Sequence, residues 1–122
     1  ADGYLFLSGR SAEVIISGGV NIYPQEIDDV LAQHRAVADA ACVGVPNADL
    51  GEEIKAVIEL RPGFTPDDAL RQSLTDFCVE HLAKQKWPRS FDFVAALPRS
   101  EAGKVLRRAL RERYWAGRER QI

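Results

Sequence analysis

Methionine is absent from this sequence, and several other chemistry-bearing residues are scarce. The chain opens ADGYLF, already inside an apolar strand pattern; with the missing methionine, this predicts a piece excised from a longer polypeptide. The two cysteines, Cys42 and Cys78, lie in apolar contexts and form no CxxC. That spacing argues against a local zinc or redox motif and predicts two reduced core thiols in a cytoplasmic protein. The two histidines, His34 and His81, stand far apart on apolar helix faces with no carboxylate or cysteine cluster beside them. Core or edge positions are expected for both, and no metal site. No Ser–His–Asp arrangement suggests a triad. No apolar run approaches the roughly 18 residues of a membrane span, and nothing resembles a signal peptide. Internal repeats and low-complexity segments are missing too.

What remains is ordinary in bulk and uneven in charge. A chain of 122 residues, 46% hydrophobic and 28% charged, has the composition of a soluble globular protein. It fits one domain or two small lobes, burying somewhat over about 60% of its unfolded surface. The net charge of −2 conceals a division. Residues 1–83 carry 5 basic and 14 acidic side chains, whereas residues 84–122 carry 11 basic and 4 acidic. A basic end suggests polyanions such as nucleotides, phosphorylated cofactors or nucleic acid. In RRALRERYWAGRER most of the arginines read more simply as a solvated helix face.

Tyr4 to Leu7 reads as a short strand ending at Gly9-Arg10. EVIISGGVNIY reads as a β-hairpin: Val14–Ile16 and Val20–Tyr23 are apolar, and Ser17-Gly18-Gly19 is the turn. Pro24 opens a helix, with Gln25, Glu26, Asp28 and Asp29 near its positive N-terminus. Its buried face is Ile27, Val30, Leu31 and His34. Residues 37–45 and 54–60 are strand-like and predict an antiparallel pair across the loop PNADLGEE. Thr65 reads as the cap of a second helix with Pro66 at its first position. Leu70, Leu74, Phe77 and Leu82 supply its apolar stripe. FDFV predicts a third strand. A last helix is expected from Gly103, with Val105, Leu106, Ala109, Leu110 and Tyr114 on one face and Arg107, Arg108 and Arg111 on the other. The expected class is α+β: a small β-hairpin lobe over residues 1–23, then a three-stranded sheet with helices over residues 24–122.

Three places could carry chemistry. Lys104, in PRSEAGK, is a cation where a helix start would favour acids. Arg99, Lys104 and the free N–H groups of that turn could form an anion cradle, and a lysine on a glycine loop can act as a point charge on a phosphate or carboxylate. The Ser17–Asn21 hairpin tip is either a plain tight turn or a surface without side chains against which a thin ligand can lie. Trp87, beside Lys84, Lys86 and Arg89, could stack on a purine and neutralise phosphates, or be a core tryptophan at a strand start.

Two blocks carry a resemblance that covers essentially the whole chain. DGYLFLSGRSAEVIISGGVNIYPQEIDDVL resembles the region after the inter-domain hinge of the adenylate-forming enzymes, the superfamily of acyl-CoA synthetases, peptide-synthetase adenylation domains and beetle luciferases. FVAALPRSEAGKVLRRALR resembles their C-terminal lysine motif. SGGVNIYPQEID is closer to the acyl-CoA synthetase branch, which acts on fatty or aryl acids.

The resemblance implies a small C-terminal domain whose partner, a large N-terminal adenylation domain, is absent from this sequence. The substrates implied are a carboxylic acid (a fatty acid first), ATP with Mg²⁺, and CoA, with AMP released and none of them bound by this domain alone. It implies adenylation by Lys104, nucleotide contact by Arg10 and Asn21, and CoA contact by Gly18, Gly19, Lys86, Trp87 and Arg89. The hinge residue two places after Arg10, usually Asp or Lys, is here Ala12, which can absorb a backbone rotation but makes no polar contact. The competing expectation is a basic module for nucleic acid or an acidic partner. The acidic first two-thirds argues against nucleic acid.

Overall fold

The computed structural model describes residues 14–121, with side chains to residue 115. Arg10 and Ala12 lie outside the described residues.

Strands β1 (Ile15–Ser17) and β2 (Val20–Ile22) form the expected antiparallel hairpin, Ile15 opposite Ile22. Its two-residue turn needs positive φ at both positions, and Gly18 and Gly19 supply φ of 58° and 85°. Helix α1 (Pro24–Leu31) starts at Pro24 with no side-chain cap from Tyr23; a proline in the first turn has no N–H to satisfy. Strands β3 (Val37–Asn47) and β4 (Gly51–Leu60) pair antiparallel along their length. Strand β5 (Ser90–Val94) runs parallel to β4, Phe91 beside Ala56 and Phe93 beside Ile58. The other edge of β4 belongs to β3, and the hairpin joins the β5 side at the start of β4, where Ser17 opposes Gly51 and Gly18 N–H donates to Leu50 O at 2.9 Å.

Helix α2 (Asp68–His81) begins later than the sequence suggests. Asp67, not Thr65, is the cap: its backbone is extended and its carboxylate accepts the Leu70 N–H at 2.9 Å. Pro66 lies before the cap, outside the helix. A carboxylate cap also suits the positive end of a helix dipole. A 3₁₀ turn (Lys84–Lys86) then leads into β5.

Helix α3 (Arg107–Gln121) likewise starts after the expected Gly103, because Val105 is taken up in an isolated antiparallel bridge to Arg99. Tyr114 O–H donates to Asp92 Oδ2, and Trp115 Nε1–H donates to Gly44 O at 2.8 Å, fixing α3 to the sheet.

The sheet is buried on both faces, which is why VADAACVGV reads as a continuous apolar run rather than an alternation. One face carries Ala40, Cys42, Ile54, Ala56 and Ile58 under α1 and α2, with Ile27, Leu31, Leu74 and Cys78. The other carries Ala41, Val43, Val45 and Val57 under Leu97 and Leu110. Burial of these side chains at about 1.5–3 kcal/mol each supplies the main stabilising term. His34 is buried, as expected of a core histidine, while His81 sits exposed at the edge, stacked on Phe77 at 4.3 Å.

Candidate functional site

Lys104 stands on a tight loop, not at a helix start. Arg99 bridges Val105, Leu106 N–H donates to Pro98 O, and Ser100 N–H donates to Lys104 O, the last two at 2.8 Å. Gly103 turns the chain with φ +86° and nothing within 4 Å of a would-be Cβ. Lys104 is exposed, and its ammonium has no carboxylate or hydrogen-bond partner among the described residues. It borders an open groove of about 640 Å³ with Tyr23, Gln25, Asp39 and Val105.

The expected cradle of Arg99 with Lys104 does not form. The Arg99 guanidinium is held by Asp39 Oδ2 at 2.6 Å and Glu59 Oε1 at 3.1 Å. Both carboxylates strengthen its hold on the proton and raise it further above the usual guanidinium range.

Arg107, expected on the solvated face of α3, instead reaches into the floor of the groove. Its Nη1 lies 2.6 Å from Asp28 Oδ2 and 3.0 Å from Cys42 O. Asp28 Oδ1 accepts the Cys42 N–H at 2.7 Å. Burial pushes the Asp28 carboxyl above its ordinary value, and Arg107 opposes that rise. The ion pair joins α1, β3 and α3. Its acid was expected merely to dress the N-terminus of α1. A sequence signal existed: position 28 falls on the same helical stripe as Pro24, Ile27 and Leu31, all buried.

A second groove, about 260 Å³, brings Gly18, Leu50, Lys84, Trp87 and Arg89 together. Trp87 is half-buried, packs against the core and donates Nε1–H to Leu82 O at 2.9 Å, so its ring serves the core as well as the groove wall. Of the residues singled out beside it, Lys86 is not in this groove; its ammonium pairs with Glu26 at 2.5 Å. Asn21, opposite Ile16 on the hairpin, is exposed and borders neither groove. Gly19 opens to free space. The two grooves share no residue. The first lies over β3 and α1, the second on the hairpin and β5 side of β4. Among the described residues, no three His, Cys, Asp or Glu side chains are grouped to hold a metal ion, and no helix is long and apolar enough to cross a membrane.

Residues 26–104 match the family described as the AMP-binding enzyme C-terminal domain. The chain is 47% identical over 107 residues to the sulfoacetate–CoA ligase of Cupriavidus necator, covering 88% of this chain and 20% of that protein. It is 40% identical over 111 residues to the long-chain-fatty-acid–CoA ligase of Salmonella typhimurium, covering 91% and 19%. The acyl-CoA synthetase structure from Brucella canis superposes with a TM-score of 0.82 at 38% identity, covering 93% of this chain and 20% of that one. The chain thus spans about a fifth of the length of the curated relatives it matches. A match over most of its length, in sequence and in fold, places this chain in the AMP-binding enzyme C-terminal domain family, the C-terminal domain of the acyl-adenylate-forming ligases.

Proposed function

We propose that this chain is the mobile C-terminal lid of an ATP-dependent acyl-CoA ligase, inactive alone and working against a large N-terminal adenylation domain. A carboxylate attacks the α-phosphorus of ATP, giving acyl-AMP and pyrophosphate. The CoA thiol then attacks the acyl carbon and AMP leaves. In the first step negative charge builds on oxygens around phosphorus, and a positioned cation stabilises it. Lys104 supplies that cation. In the second step the hairpin turn at Gly18 and Gly19 lines the path of the pantetheine arm, with Trp87 and Arg89 facing the nucleotide end of CoA. Lys86, held by Glu26, contributes at most from the rim. Arg10 and Asn21 contact nucleotide, and Ala12 is the pivot.

One observation carries this reading. Lys104 borders one groove, and Gly18, Trp87 and Arg89 border another on the opposite side of β4, an arrangement that suits exchange by rotation of one rigid body. Such exchange gives two half-reactions one reaction centre. Mg²⁺, which would neutralise the phosphates of ATP, finds no ligand cluster among the described residues and is assigned to the larger domain. So is the acyl pocket. Relatives named for sulfoacetate and for long-chain fatty acids match this domain at 47% and 40% identity, so both acid classes belong in the first assay.

The basic-module reading has less support. Arg99, Arg107, Arg111 and Lys86 are each held by a carboxylate, which leaves less of the basic segment to meet phosphates.

The test is Lys104→Ala in the full-length parent enzyme. Adenylation, read by pyrophosphate exchange, should fall by roughly 10²–10³. Thioester formation from supplied acyl-adenylate should hold. Equal losses in the two would defeat the role given to Lys104.

A further inference from the structure

Asp39 on β3 and Glu59 on β4 are directly opposed in the register of the sheet. Two carboxylates in that relation repel each other and weaken the pairing. They are reconciled by a single guanidinium that comes from neither strand. Arg99 places Nη2 2.6 Å from Asp39 and Nη1 3.1 Å from Glu59. The same Glu59 oxygen accepts the Leu97 N–H at 3.1 Å. The chain entering the Lys104 loop is therefore fixed to two neighbouring strands at once. From there the loop is closed on itself by the Arg99–Val105 bridge and by the Ser100–Lys104 backbone bond. Its base is held, and Lys104, which closes that base opposite Ser100, carries an ammonium with no partner among the described residues.

We propose that Arg99, seated on the Asp39–Glu59 pair, is a positioning residue for Lys104. This rests on the reading of Lys104 given above. The Arg99 side chain is about a third exposed, so its ion pairs add little to folding. Their geometry matters more. Two carboxylates on adjacent strands define a direction for a planar, two-pronged cation, which a lysine's point charge would not follow. Clamping also removes Arg99 as a competing cation, leaving Lys104 to meet the reacting anion. A reacting group displaced by about 1 Å can lose about 10² in rate, so a loosened loop base would be felt directly at Lys104, which closes it.

The experiment uses the full-length parent enzyme carrying Arg99→Gln, Lys104→Ala and both together. Arg99→Gln should slow pyrophosphate exchange by about 10- to 100-fold and leave thioester formation from supplied acyl-adenylate unchanged. It should add nothing further once Lys104 is alanine. The joint change Asp39→Asn with Glu59→Gln empties the seat from the other side. It should reproduce the Arg99→Gln phenotype, which also guards against a folding defect of one variant. Arg99→Lys, able to meet one carboxylate but not span two, should recover only part of the rate. Multiplicative losses in the double variant, equal loss in both half-reactions, or normal exchange in Arg99→Gln would each overturn the clamp. If Lys104→Ala alone leaves exchange undiminished, the reading of Lys104 fails first, and that result is distinct from a failure of Arg99.

Discussion

Arg107 and Asp28 meet 2.6 Å apart, tying the first residue of α3 to the middle of α1 with 12% and 7% of their side chains exposed. A buried ion pair is weak evidence of stability in itself, because both charges give up water. Removing one partner is another matter. Among the described residues, Arg107→Met leaves the buried carboxylate with only the Cys42 N–H, and should cost about 3–5 kcal/mol. Asp28→Asn combined with Arg107→Met keeps the shape and removes both charges, and should recover much of that loss. Urea unfolding at neutral pH measures both. In Arg107→Met the Asp28 carboxyl should titrate still higher, since the guanidinium, ahead of the Cys42 hydrogen bonds, is the largest influence opposing burial.

Acidification should destabilise the fold through His34. Its Nδ1 accepts the Ala36 N–H at 3.1 Å, so that nitrogen carries no proton, and Nε2 meets Ser73 Oγ at 2.9 Å. Burial, then the charge of Arg35, holds its pKa below the usual imidazole value. Between the folded and unfolded pKa values the unfolded chain binds the extra proton. Stability is therefore fully present above the unfolded value of about 6.5 and is lost as pH falls through the lower, folded value. His34→Gln should flatten the unfolding free energy across this window, and a slope unchanged from the parent would assign the effect to another group.

Helix α1 and the β3–β4 pair were legible in the sequence because their signals are local. Pro24 sets a start, Ile27 and Leu31 recur at helical spacing, and two apolar runs flank a polar loop. The beginning of α3 was not. Val105 and Leu106 fit the helical spacing of Ala109 and Leu110, yet Val105 is spent on a bridge to Arg99. Nor could the arginines be sorted. Arg99 finds its acids 60 and 40 positions away and Arg107 its acid 79 away, and no local pattern distinguishes a clamped guanidinium from a solvated one. The two grooves share that origin: Gly18 meets Trp87 and Arg89 only because the hairpin and β5 take the same side of β4.

Both thiols should be inert in the folded chain. Burial alone lifts the Cys78 thiol to about 11. Burial first, then the neighbouring Asp28 charge, lifts Cys42 well above its ordinary value. The thiolate is the reactive form, and neither is available near neutral pH. An aromatic disulfide reagent should titrate no thiol in native protein and both in guanidinium. Rapid native labelling at neutral pH would show that the sheet opens readily over Cys42.

The hairpin turn separates folding from function. Gly18 and Gly19 both hold positive φ, which costs an L-residue about 1–2 kcal/mol. They differ in surroundings. A Cβ on Gly18 would come within 3.2 Å of Leu50 Cδ2, whereas one on Gly19 meets nothing within 4 Å. Gly18→Ala should therefore destabilise the chain more than Gly19→Ala, by the added pressure on Leu50. The catalytic order follows a different logic. Gly19→Leu sends a side chain outward from the turn, into the space where the reading above puts the pantetheine arm. In the full-length enzyme it should suppress thioester formation from supplied acyl-adenylate and spare pyrophosphate exchange, the reverse of Lys104→Ala. Loss of neither half-reaction, or of both alike, would leave the hairpin no separate part in the second step.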